Sequence, residues 1–322
     1  MSILDTMFSS RPSYLICGTL SSGALPRSSK YSIIAVRLMG VVFGLISMVS
    51  WGAGDFVAAS LSRSLGNLRA ILWVTVFGNI AILSYGFFTG ALGGLTVPGV
   101  LYAGAAGFLH SIGSLSFYKG LKVGRVSLVA PISSGWSVIL VLAAILLYGE
   151  ELTFFQYGAV ALVITGGVLV SANLKELRYS GFTLADPGIP YAFVAMFAWG
   201  FGWLFFNESV KTIGWVLPNI LLASFIILFL LCYAGLSRQS VKPPAGRSDW
   251  MRALFVGFAT ILAYIAYSIG IESYLTSIVA PLAAAYPLVT VILAVLIFRE
   301  RSVFNQKVGI VAVISGVILM ST

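Results

Sequence analysis

Between residue 40 and the C-terminus the sequence is a succession of ten apolar runs. They fall at about 40–60, 69–89, 97–117, 127–147, 154–172, 190–208, 216–236, 252–271, 277–297 and 305–321. Each is near the length that crosses roughly 30 Å of hydrocarbon at about 1.5 Å per helical residue. The connections are too short to hold a domain outside the membrane. Charge is also too scarce to cover a water-facing surface: charged residues make up 9% of the chain, against about 25% in an ordinary soluble domain. Backbone groups in hydrocarbon must pair within their own segment, so the runs are expected to be helices. A membrane barrel would show alternating strands, and Val138–Leu147 does not alternate.

The two halves of the sequence match. Trp51-Gly52-Ala53-Gly54 corresponds to Trp199-Gly200-Phe201-Gly202, and at the same offset Arg63 and Gly66 meet Lys211 and Gly214. Two residues further out of step, Val129-Ala130-Pro131 corresponds to Val279-Ala280-Pro281. That second offset also pairs Gly107-Phe108 with Gly257-Phe258, Glu150 with Glu300, Gln156 with Gln306 and Gly166 with Gly316. Chance similarity between apolar stretches does not hold a constant offset through polar and proline positions. Five spans per copy is an odd number, so the second copy crosses the membrane in the opposite sense. The expected fold is therefore all-α: a polytopic membrane protein with ten transmembrane helices in two inverted five-helix repeats. Residues 39–178 form the first repeat and 179–322 the second, after a tail or over-extended start at 1–38. An inverted repeat places a binding site at the interface between its copies.

The segments Trp51-Gly52-Ala53-Gly54-Asp55-Phe56, Val129-Ala130-Pro131 and Tyr148-Gly149-Glu150-Glu151-Leu152-Thr153, with its partner Phe298-Arg299-Glu300-Arg301, carry a resemblance to a known family. The chain resembles the drug/metabolite transporter superfamily, specifically its ten-span EamA-type members. That resemblance implies secondary transport of small organic solutes, often by export and often coupled to protons. It identifies the fold better than the substrate.

Asp55 is the only acid inside a span core. A charged side chain there costs about 2.5–3.5 kcal/mol on insertion scales, so it is expected to face the interior, on the same helical face as Trp51. It is the candidate for loading and releasing protons. His110 on the third span, with Ser114 and Tyr118 one and two turns on, is a candidate relay or solute contact, or simply a histidine satisfied by a neighbouring hydroxyl. Trp199, Trp203 and Asn207 form a stripe on the sixth span, suited to stacking and one oriented hydrogen bond. Tyr264 and Tyr267 on the eighth span, Ser134 and Trp136 on the fourth, and Tyr286 on the ninth complete the candidate wall. Pro131, Pro281 and Pro287 interrupt helical hydrogen bonding in corresponding spans and are candidate hinges. Glu150 and Glu300, opening the fifth and tenth spans, are expected to be caps and loop anchors, not coupling groups.

Other classes are poorly supported. Cys17 and Cys232 lie far apart and His110 is the one histidine, so no metal or cofactor is expected. The net charge of +9 comes from basic residues in short loops, a membrane orientation signal and not a nucleic-acid surface. An intramembrane enzyme using His110 with a serine such as Ser134 lacks a Gly-x-Ser-Gly setting; a non-transporting structural membrane protein is the remaining alternative. The expected partners are a small organic solute, protons as coupling ion, and the bilayer of the cell membrane. Oligomeric state has no sequence signal. Five Lys and Arg (Arg11, Arg27, Lys30, Arg37 and Lys211) share the side of the N-terminus and the other fourteen lie opposite. The positive-inside rule then puts both termini outside, whereas the resemblance implies cytoplasmic termini.

Overall fold

The computed structural model describes residues 27–172, 174, 186–299 and 303–320. Contacts group the chain into two units, Met1–Ala35 and Val36–Thr322, and apart from the first residues of α1 all that follows concerns the second. The described residues are helical, with no strand. In the first repeat lie α1 (Arg27–Leu65), α2 (Asn67–Thr89), α3 (Val97–Val123), α4 (Val126–Ser133), α5 (Trp136–Leu146) and α6 (Phe154–Ser171). The second holds α7 (Ile189–Ile213), α8 (Val216–Ser237), α9 (Arg247–Ser273), α10 (Thr276–Ala284), α11 (Pro287–Phe298) and α12 (Phe304–Met320). The segment α1 begins within the stretch expected to be a tail.

Counting α4 with α5 and α10 with α11, nine of the described helical segments are long and apolar enough to span a bilayer. The tenth, Phe304–Met320, is shorter, as its sequence suggested. Large apolar side chains lie bare on the outside, Phe88 at 84% and Phe154 at 87% exposure. In water this would be untenable; in hydrocarbon it is ordinary.

Helix ends follow local chemistry. Thr153 and Gln156 make a capping box at the start of α6, and Thr96 caps α3 ahead of a proline in its first turn. The chain turns from α1 to α2 at Gly66 (φ 81°) and from α7 to α8 at Gly214 (φ 74°). These are equivalent positions of the two repeats, both in the left-handed region that a side chain resists.

The two repeats are joined by contacts that recur with the copies exchanged. Gly107 on α3 lies against Phe225 and the Leu222 carbonyl of α8, and Gly257 on α9 lies against Phe77 and the Val74 carbonyl of α2. Gly52 meets Val289, and its counterpart Gly200 meets Ile139. Gly166 on α6 meets Val313 and the Gly309 carbonyl of α12, and Gly316 meets Val163 and the Ala159 carbonyl in return. Small residues let membrane helices approach closely where no hydrophobic force draws them together. A methyl group at Gly166 would sit 2.8 Å from the Val313 side chain and 2.9 Å from the Gly309 carbonyl. Gly166→Ala is therefore expected to destabilise the bundle by about 1–3 kcal/mol, seen as a lower midpoint in thermal unfolding in detergent; an unchanged midpoint would contradict this packing.

Two spans are broken, at equivalent places. Pro131 lies inside α4, which stops at Ser133 and resumes as α5 at Trp136. Pro281 lies inside α10, which stops at Ala284 and resumes as α11 at Pro287. Each break follows its proline by about one turn. Pro287 sits at the first position of the resumed helix, where its fixed φ and missing N–H are tolerated.

Candidate functional site

A cavity of about 720 Å³ lies in the seam between the repeats. Its mouth is at the end of the bundle where α1 gives way to α2: Asn67 and Lys122, both exposed, are among its lining residues. Inward it is walled by Ser62, Ser114 and Tyr118 from the first repeat and by Thr260 and Tyr264 from the second.

Aromatic rings make the floor. Trp203 is 4% exposed, with Trp136 stacked on it at 5.7 Å, Trp51 edge-on at 5.4 Å and Tyr264 at 5.2 Å. Tyr286 packs edge-on against Trp51 at 6.2 Å. Such pairs contribute about 0.5–1.5 kcal/mol each beyond their buried area, so the floor is a mutually braced cluster of rings presenting both faces and edges. Trp199 stands in the wall beside Phe117 at 5.3 Å, in the space that Gly113 leaves by lacking a side chain. Its indole N–H is buried without a hydrogen-bond partner.

Asp55 lines this cavity and is exposed within it. Among the described residues its carboxylate makes no hydrogen bond and no ion pair. Among the described residues it is the only acid in the lining, and the one lining cation among them, Lys122, is at the mouth. An unpaired carboxylate in a membrane-embedded cavity is costly unless a proton or a cation joins it.

His110 is held by the Tyr264 hydroxyl, 3.0 Å from its Nε2, with Trp203 edge-on at 5.7 Å. The Ser134 hydroxyl donates to the Pro131 carbonyl at 2.8 Å. Histidine and serine each have another partner, and among the described residues no hydrogen bond joins them.

Of the residues singled out from the sequence, Trp51, Asp55, His110, Ser114 and Tyr118 line the cavity, as do Ser134, Trp136, Trp199 and Trp203, and Tyr264, Tyr286 and Pro287. Asn207, Tyr267, Pro131 and Pro281 do not. Asn207 and Tyr267 are completely buried (0% each) behind the floor, the Tyr267 ring 4.7 Å from Trp203. Sequence reasoning missed Ser62, Asn67, Lys122 and Asn219, which the cavity also touches; the counterparts of Ser62, Asn67 and Asn219 are Val210, Trp215 and Ile71, which gave no repeating polar signal, and Lys122 with Glu272 reads as a pair of charges at span ends.

The opposite end of the bundle is closed by contacts from the loop after α5. Glu150 does not cap the helix it precedes; Thr153 and Gln156 do that. Its carboxylate accepts from the Thr276 and Ser277 amides, both at 2.9 Å, and from the Ser277 hydroxyl at 2.6 Å, which caps α10 in the other repeat. Glu300, its counterpart, lies outside the described residues. Lys211 Nζ lies 3.1 Å above the Tyr148 ring and 3.1 Å from Glu208. Burial pushes the Tyr148 hydroxyl pKa up, so it stays protonated; it makes no well-formed hydrogen bond, although the Glu208 carboxylate is near enough to add to the shift.

The sequence profile of the EamA-like transporter family matches residues 38–172 and again 186–322. An uncharacterized transporter of Archaeoglobus fulgidus is 24% identical over 294 residues, 88% of this chain and 98% of its own. An uncharacterized protein of Methanocaldococcus jannaschii is 32% identical over 144 residues, 41% of this chain but 96% of its own, about the length of one repeat. A solved crystal structure superposes with a TM-score of 0.71 over 87% of this chain and 97% of its own, at 16% identity, which establishes a shared fold.

Proposed function

The chain belongs to the EamA-like transporter family, and we propose that it is a secondary transporter of small organic solutes that moves them by alternating access and couples the movement to protons through Asp55. A membrane transporter of two inverted repeats has one seam and two mouths. Here one mouth leads to a cavity, and the other is closed by the loop carrying Tyr148 and Glu150. The observation that carries the reading is the unpaired Asp55 carboxylate on an aromatic-walled cavity in that seam. Flat rings suit a planar or apolar solute body, and the carboxylate supplies one strong, titratable contact. His110, tied to Tyr264, orients the floor beside it.

The test is uptake into proteoliposomes with an imposed pH gradient, using a metabolite panel. At least one solute is expected to accumulate, and the accumulation should collapse when a protonophore dissipates the gradient. Accumulation indifferent to the protonophore and to pH would remove the proton from the mechanism; no binding or uptake across the panel would favour a non-transporting membrane protein.

A further inference from the structure

Behind the floor lie two polar pairs that the cavity leaves largely unused. The Tyr267 hydroxyl donates to Asn207 Oδ1 at 3.2 Å. Asn219 Nδ2 donates to Ser268 Oγ at 2.8 Å and to the Trp215 carbonyl at 2.6 Å; because that carbonyl can only accept, the orientation of the Asn219 amide is fixed. Tyr267, Asn207 and Ser268 are each 0% exposed and Asn219 is 1% exposed. Two atoms are left over: Asn207 Nδ2 and Asn219 Oδ1 are buried with no hydrogen bond. A leucine at either position would carry no such penalty.

The repeat explains where these residues belong. At the offsets that align the two copies, Asn207 corresponds to Ala59, Asn219 to Ile71, Tyr267 to Phe117 and Ser268 to Tyr118. All four of those first-repeat residues line the open cavity. When the two copies exchange roles, as an inverted repeat allows, the buried four take the wall positions that their counterparts hold now. Three of the counterparts are apolar, so the second wall is the more polar, with amides where the first has Ala59 and Ile71. Asn219 already reaches the present cavity from its side of the seam.

We propose that Asn207, Asn219, Tyr267 and Ser268 form a second solute station, almost wholly buried in this state with only Asn219 at the edge of the present cavity, and bared when the opposite mouth opens. It takes an uncharged group with both an acceptor and a donor, such as a carboxamide or a nucleobase edge. The acceptor meets Asn207 Nδ2 and the donor meets Asn219 Oδ1. The inference rests on the transporter reading given above, and adds to it that the two ends of the pathway hold the solute by different chemistry: a carboxylate at the first, amides at the second.

The experiment uses the full chain in proteoliposomes with Cys17→Ser and Cys232→Ser, probed from either side by a membrane-impermeant maleimide. Ala59→Cys is expected to react from one side, and the near-isosteric Ser268→Cys, which keeps both amides of the station, from the other and to report protection by solute. Asn207→Cys serves as a second reporter of access alone. A panel of uncharged carboxamides and nucleobases at millimolar concentration should contain a member that slows the second-side labelling at least tenfold, and Asn219→Leu should remove that protection. Labelling that no panel member slows would reduce these residues to a wetted passage and overturn the station. Reporters that stay inert from both sides, while Ala59→Cys reacts and the parent protein still accumulates solute, would overturn it too. If the parent accumulates nothing, the transporter reading is what fails.

Discussion

Replacing Asp55 by asparagine is expected to abolish solute accumulation against a gradient while leaving exchange of solute across the membrane measurable, weakened by the loss of one charged contact. Asparagine keeps the size and the hydrogen-bonding capacity of the side chain but cannot gain or lose a proton in the working range. Among the described residues Asp55 is the only acid on the cavity, and it has no partner there. Among them no other lining carboxylate is available to take over the coupling step. An ionised carboxylate in the membrane costs about 2.5–3.5 kcal/mol, and each turnover has to satisfy it with a proton or with a cationic part of the solute. Removing the charge removes that requirement, so the empty protein becomes free to change faces without a proton. Uptake driven by a pH gradient should then fall to the level of empty liposomes, at least a hundredfold below the parent, whereas counterflow of preloaded solute continues. Asp55→Glu should retain part of the driven uptake. Full driven uptake by Asp55→Asn would sink the coupling role. Loss of both driven uptake and counterflow would show instead that Asp55 is needed to bind solute at all.

The architecture was legible in the sequence because two strong signals agree. Run length sets the number of spans, and an odd number of spans in a duplicated chain sets the inversion. The paired glycines, Gly107 with Gly257 and Gly166 with Gly316, were visible as matches before their contacts were known. The aromatic lining was legible in part, since Trp51 recurs as Trp199 beside matched small residues, with Trp203 one turn further on the same helical face. What the sequence could not supply is depth. A helix that is apolar all round has no polar face to fix its rotation, so the stripe Trp199, Trp203, Asn207 gave no sign that Asn207 falls below the floor while the two indoles stand in the cavity. Helix ends gave a different difficulty. Ser62, Asn67 and Lys122 sit where a span meets its turn, and nothing local separates a residue at the mouth of a cavity from one in ordinary interfacial contact. The target of Glu150 was beyond reach for the same reason: its sequence neighbours describe the start of α6, and its hydrogen bonds go to α10, which only tertiary structure brings near.

That long-range cap predicts the second large effect. Glu150→Ala removes three hydrogen bonds at once, two to backbone amides at the start of α10 and one to the Ser277 hydroxyl. Bonds to a charged group contribute about 1.5–3 kcal/mol each, and a carboxylate at a helix N-terminus adds about 0.3–1 kcal/mol. Because water can replace part of this at the end of the bundle, a net loss of about 3 kcal/mol is the reasonable expectation. The contacts tie the α5–α6 loop of one repeat to α10 of the other, so they act only while that mouth is closed. A loss of that size shifts the balance between closed and open mouths roughly a hundredfold. Spin labels at Glu151→Cys and Thr212→Cys, both exposed positions at this end, should report a new, longer-distance population in Glu150→Ala, and thermal unfolding should begin several degrees lower. Glu150→Gln, which keeps an acceptor but not the charge, should fall between alanine and the parent. A distance distribution and an unfolding midpoint both unchanged in Glu150→Ala would mean that the closed mouth is held by packing around Tyr148 and Lys211, and that the carboxylate is a bystander.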